Sequence, residues 1–199
     1  MVGDIFILGL LVHLMIIGVV GPIASGKSVM IELLIENGFT NLRVSDVLKE
    51  EATKLGIPLE RKPLQDLGNK LRAENGEGYL AEQLVRKMDD GRNYVVDSIR
   101  NPGEIEVLKR IPGFVLIGFD APIEKRIQWI VLRNKFGDPR TEQEIREMEA
   151  RDRGEGEGNN GQQVWKCYEM ADLRIVNDGN LEELFIKINE VMKEAGFSF

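Results

Sequence analysis

At 199 residues the chain is long enough to bury one α/β core and too short for two ordinary domains joined by a linker. With 43% hydrophobic and 30% charged residues it has the composition of a globular protein, and no stretch has the low hydrophobicity of a disordered tail. A formal net charge of −7 disfavours binding to nucleic-acid backbones, the single Cys167 excludes an internal disulfide, and one Cys with one His makes no metal-ligand cluster, so a reducing, cytoplasmic setting is expected.

The first element is an apolar run from Ile5 to Val20. It is about four residues short of a comfortable membrane span and follows Asp4 instead of Lys or Arg, so no membrane association is expected. Its last part must serve as the strand that feeds a Gly-rich turn. For residues 1–14 two explanations stand. Either the natural start is Met15 and an upstream start codon was chosen in error, or the extension is an extra helix or strand that packs on the body or on a partner, which allows an oligomer through it.

Beyond Met15, apolar runs of strand length alternate with amphipathic stretches of helix length, the pattern of β-α-β units around a parallel sheet. Strands are predicted near Met15 to Val20, Asn41 to Val44, Tyr94 to Asp97, Phe114 to Phe119 and Leu173 to Val176, where β-branched and aromatic residues concentrate between turn residues. Helices are predicted over Ser28 to Asn37, ending at Gly38, and over Glu77 to Met88. Asn101 before Pro102 is a capping pair that opens another, and Asn180 caps the last, whose apolar stripe runs through Leu184, Ile188 and Met192. Such stripes read as core. Gly154 to Gly161, with four glycines in eight residues, reads as a mobile loop. There is no internal repeat. The expected fold is α/β: a three-layer arrangement with a five-stranded parallel sheet flanked by helices, plus a small helical lid, in one domain over residues 15–199.

Gly21-Pro22-Ile23-Ala24-Ser25-Gly26-Lys27-Ser28 fits G-x-x-x-x-G-K-[S/T] and lies between a predicted strand and a predicted helix, as the motif's mechanism requires. Glycines let the backbone curl so that its N–H groups point at phosphate oxygens, and the helix that follows adds its partial positive charge. Gly21, Ile23, Ala24, Ser25, Gly26, Lys27, Ser28 and Val29 are therefore the expected ATP-binding set. Lys27 would bridge the β- and γ-phosphates, and the Ser28 hydroxyl would ligate Mg²⁺. Asp97, ending a buried strand at the edge where open α/β sheets bind ligands, would hold Mg²⁺ through water or position the acceptor hydroxyl.

Met15 to Ser28, Ser45-Asp46-Val47-Leu48-Lys49, Asp97-Ser98-Ile99-Arg100, and Ala171-Asp172 through Asn177-Asp178-Gly179 resemble the successive landmarks of nucleoside-monophosphate kinases and dephospho-coenzyme A kinases. Closer still, the chain resembles adenylate-kinase-like archaeal proteins and the kinase-like domain found with some deoxycytidylate deaminases. The likeness spans nearly everything after Met15. It implies acceptor-binding helices over about residues 45–90 and a lid over about 133–161. Asp46 and Lys49 are similar to the Asp-x-x-Arg that opens the acceptor helix, with Lys in place of Arg, and Arg100 matches the arginine that clasps the acceptor phosphate. Arg72 is a further acceptor-side candidate. Ser98 stands where adenylate kinases have Gly. Asn177 and Gly179 fall in the loop that frames the adenine in related kinases.

Phosphoryl transfer needs charge neutralisation and exclusion of water, which a basic lid supplies. Arg126, Arg133, Arg140, Arg151 and Arg153 cluster around a predicted helix pair, with Arg133 and Arg151 the expected catalytic lid arginines. Glu142 to Glu149 offer several of them an alternative as surface ion pairs. Trp129, Trp165 and Cys167 read as core residues. Three functions are open at this point: an ATP-dependent phosphotransferase acting on a nucleoside or deoxynucleoside monophosphate, a dephospho-coenzyme A kinase, and a non-catalytic (d)NTP-binding regulatory module. Each takes a small molecule as its partner.

Overall fold

Five short segments become parallel strands, and helices bury both faces of the three central ones. The computed structural model describes residues 5–7, 10–12, 14–89, 91–133, 139–156 and 158–199. In the extension, β1 (Ile5–Ile7) and β2 (Leu10–Val12) pair antiparallel as a ribbon of their own, so its described residues are strand and not helix. His13 lies outside the described residues. The main sheet comprises β3 (Ile16–Val20), β4 (Thr40–Arg43), β5 (Tyr94–Asp97), β6 (Phe114–Asp120) and β7 (Leu173–Val176), all parallel, in the order β4-β5-β3-β6-β7. All five expected strands are present. β4 ends one residue short of the expectation because Val44 already opens the next helix.

Side chains alternate across each strand, and in the central β3, β5 and β6 both sets are largely apolar. Ile17, Val19, Val95, Ile117 and Phe119 pack on one side against α1 (Lys27–Glu36) and α9 (Leu181–Glu194), which contribute Met30, Leu34, Leu184, Ile188 and Met192. Ile16, Val20, Tyr94, Val96 and Leu116 face the opposite layer, built from α2 (Val44–Lys54), α3 (Arg61–Asn75), α4 (Tyr79–Val85), α5 (Pro102–Leu108) and α8 (Val164–Glu169). Truncating a fully buried member of either set, such as Ile117 or Leu116, would cost about 2–5 kcal/mol. Cys167 is fully buried, as expected, and burial pushes its thiol far above the usual range, so it is inert packing.

Two further helices, α6 (Ile123–Arg133) and α7 (Glu142–Asp152), follow β6. α7 starts at a capping box between Thr141 and Glu144. Asn101 caps α5 as expected, accepting from Gly103 N at 2.9 Å. The same side chain also donates to the carbonyls of Asn159 (2.8 Å) and Gly161 (2.9 Å). The end of the Gly-rich segment is therefore hydrogen-bonded to the body. Because every sheet strand runs the same way, the residues after β3, β5 and β7 emerge at one edge, where a ligand site forms in open α/β sheets.

Candidate active site

The loop from Gly21 to Ser28 owes its shape to two glycines. Gly21 has φ 139° and Gly26 φ 103°, values that side chains rarely tolerate. A Cβ at Gly21 would collide with the Phe119 carbonyl, and one at Gly26 would come within 2.8 Å of Asn177 Nδ2. Lys27 folds back over the loop, its Nζ donating to the carbonyls of Gly21 (2.8 Å) and Pro22 (2.6 Å). Desolvation lowers its pKa to about 8, with Asp97 opposing the shift and Arg100 adding to it. An ammonium so desolvated, on a loop that opens α1, is a ready partner for an anion.

That loop forms one wall of a cavity of about 390 Å³. Five cationic side chains, Lys27, Arg43, Arg61, Arg100 and Arg133, face three carboxylates, Glu32, Asp97 and Asp152. A positive excess in a chain of net charge −7 marks a site built for anions. A second chamber of about 260 Å³ adjoins it, sharing Ala24, Gly26, Ser28 and Arg133 and adding Val29, Trp129, Asn177, Gly179 and Leu184. Its walls are more apolar, and Asn177 Nδ2 ties it to the loop through Ser25 O at 3.3 Å.

Among the described residues only Ala24 (φ 59°) and Ser98 (φ 64°) are non-glycine residues with positive φ, and both line the main cavity. Strain of this kind costs about 1–3 kcal/mol and concentrates at functional sites. It also explains why a glycine is natural where Ser98 stands. Asp97 Oδ1 accepts from Ser98 N at 2.6 Å, and its other oxygen lies 3.7 Å from Arg43 Nε. Ser45 Oγ donates to Ser98 Oγ at 3.2 Å, joining the start of α2 to the same wall.

The far wall is assembled from distant parts of the chain. Arg61 Nη2 contacts Asp152 Oδ1 at 3.4 Å. With its side-chain amide turned so that both ends find partners, Gln162 donates to that same oxygen at 2.8 Å and accepts from Arg100 Nη1 at 3.1 Å. Arg126, buried in α6, donates to Glu149 Oε1 of α7 at 2.7 Å and reaches the loop carbonyl of Ile23 at 3.5 Å. Ser28 and Asp97 could hold a divalent ion together with phosphate oxygens. Among the described residues no group of three or more His, Cys, Asp or Glu gathers to hold one unaided.

Of the expected residues, the structure gathers Gly21, Ile23 to Ser28, Asp97, Arg100 and Arg133 around the main cavity, with Val29, Asn177 and Gly179 at the second chamber. Others are placed elsewhere. Asp46 and Lys49 pair with each other at 2.9 Å on the outside of α2, because Val44 and Val47 take the inward side of that helix. Arg72 is 4% exposed and engaged with Glu104 at 3.3 Å, Asn69 at 2.9 Å and the Asn160 carbonyl at 2.6 Å, which makes it a buried strut behind the cavity wall. Glu104 has its pKa raised by burial, against the pull of Arg72. Arg151 pairs with Asp66 at 3.2 Å and does not line the cavity. Arg153 pairs with Glu149 and covers the ring of Trp165.

Neither tryptophan lies in the buried core, contrary to expectation: Trp129 is half-buried and lines the second chamber. Arg61, Asp152 and Gln162 carried no local signal. Arg61 is one of several charged residues on α3, and its meeting with Asp152 across 91 positions is decided only by the fold.

No protein-family model matches the sequence. A UPF0200 protein of Methanoregula boonei is 31% identical over 180 residues, covering 89% of this chain and 95% of that one. This chain belongs to the UPF0200 family. Its fold is that of P-loop kinases. A shikimate kinase from Bacteroides thetaiotaomicron superposes with TM-score 0.56 at 10% identity, over 93% of the UPF0200 chain and all of the kinase (100%). A gluconokinase from Sinorhizobium meliloti gives 0.52 at 14% identity, over 90% and 92%. Among the described residues no helix is long and apolar enough to cross a membrane.

Proposed function

We propose that the protein is an ATP-dependent phosphotransferase that moves the γ-phosphoryl group to a nucleoside or deoxynucleoside monophosphate. The observation that carries this is one cavity in which the Gly21–Ser28 loop, Asp97, and Arg61 with Arg100 face the same space. The loop N–H groups and the start of α1 take the nucleotide's phosphates, and Lys27 turns from the loop carbonyls to neutralise them. Ser28 and Asp97 would hold Mg²⁺, which when bound offsets the phosphate charge. Asn177, Gly179 and Trp129 frame the base in the second chamber. Arg133, lining both chambers, neutralises the group in transfer, and residues 133–161 act as the lid that excludes water. Arg100 grips the acceptor phosphate.

The test is coupled ADP release with ATP and Mg²⁺ across ribo- and deoxynucleoside monophosphates and dephospho-coenzyme A. Turnover with one acceptor names the substrate. Lys27→Ala should weaken ATP binding by about a hundredfold. A second possibility, a non-catalytic nucleotide sensor, draws support from the outward-facing Asp46–Lys49 pair, which leaves the acceptor side without the second phosphate grip that the sequence suggested. ATP binding without acceptor-dependent ADP release would select it.

A further inference from the structure

Asp152 sits where several cations converge. It ends α7, is 8% exposed, and lines the main cavity with Lys27, Arg61 and Arg100. Arg61 meets it through one contact of 3.4 Å, although a guanidinium can make two shorter bonds to one carboxylate. Arg100 reaches it only through the Gln162 amide. Two arginines therefore share one negative charge. We infer that Asp152 keeps the seat of the acceptor's phosphate in the free protein, and that an entering phosphate takes Arg61 together with Arg100 and displaces Asp152. This rests on the phosphotransferase assignment and goes beyond it, adding Arg61 to the acceptor grip and making Asp152 a specificity-determining residue. A phosphate dianion offers twice the charge and more acceptor oxygens than a carboxylate. A neutral hydroxyl acceptor has nothing with which to compete. The displacement is felt elsewhere, because α7 also carries Glu149, bonded to Arg126, which contacts Ile23 in the nucleotide loop.

Inorganic phosphate is the probe, titrated calorimetrically into the full chain in two backgrounds that keep it from the nucleotide loop: the loop filled by a non-hydrolysable ATP analogue with Mg²⁺, and Lys27→Ala. In both, a phosphate site should remain. Arg61→Gln should weaken it by about tenfold or more, and Asp152→Asn should tighten it by about tenfold, since the internal competitor loses its charge. In the unsubstituted chain, hydrogen exchange over Glu149 to Gly154 should rise on adding phosphate, a result that needs no variant to fold. Unchanged or weaker binding in Asp152→Asn, or unchanged exchange in that segment, overturns the inference. Failure of the analogue to bind would instead sink the phosphotransferase assignment, while the Lys27→Ala arm still tests the seat.

Discussion

At one wall of the main cavity, seven lining residues come from a single turn, Gly21 to Ser28, whose path is dictated by two positive-φ glycines and closed by Lys27 on its own carbonyls. At the opposite wall, side chains reach partners far along the chain: 91 positions for Arg61 with Asp152, 88 for Arg72 with the Asn160 carbonyl, and 58 for Asn101 with the Asn159 carbonyl. A local backbone device tolerates change in its surroundings but not in its own glycines. A wall held by charge pairs is vulnerable at each partner, because removing one leaves the other buried and uncompensated.

The largest expected effect comes from breaking the buried strut behind that opposite wall. Glu104→Ala leaves the Arg72 guanidinium without its carboxylate and removes the acceptor of the Arg100 and Asn101 N–H groups, at a cost of about 3–5 kcal/mol in denaturant unfolding. An unchanged midpoint would mean that this wall is held by apolar packing alone.

A smaller effect separates the two sides by pH. Lys27 must be protonated to hold phosphates, and its pKa in the free protein is about 8, so ATP affinity should be full below pH 8 and fall as pH rises through it, by up to about tenfold per unit. Because that pKa lies below the unfolded value of 10.5, the native state releases this proton first, and the stability penalty of burying the charge fades between pH 8 and 10.5. Calorimetric titrations at pH 7, 8 and 9 would test the binding half, since an affinity flat across that range would place Lys27 in contact with water.

The smallest effect is expected at the outward pair of α2. Asp46→Ala and Lys49→Ala should each change stability by under about 0.5 kcal/mol and leave the acceptor KM unaltered, as for an exposed ion pair. A severalfold rise in KM would bring this face of α2 back into the acceptor site and erase the difference between the two walls.

The difference between the two sides also explains what was legible in advance. The five strands, the caps at Asn101 and Asn180, and the nucleotide loop rest on periodicity, capping chemistry and glycine spacing, which act within a few residues. The acceptor residues suggested by motif alone fared unevenly. Arg100 follows a buried strand and so reaches the cavity, whereas Asp46 and Lys49 depend on which side of α2 turns inward. Aromatic bulk reads Trp129 as core, yet on α6 the inward positions belong to Arg126 and Ile130.

The sequence by itself determined the α/β architecture and the anion-binding turn, because alternating apolar strands buried on two faces and a glycine-framed loop before a helix admit few arrangements. Only the tertiary structure decided the wall opposite that turn. Arg61, Asp152, Gln162 and Arg100 lie on separate elements, and a charged side chain carries no local record of the partner it will meet once the sheet and helices have packed.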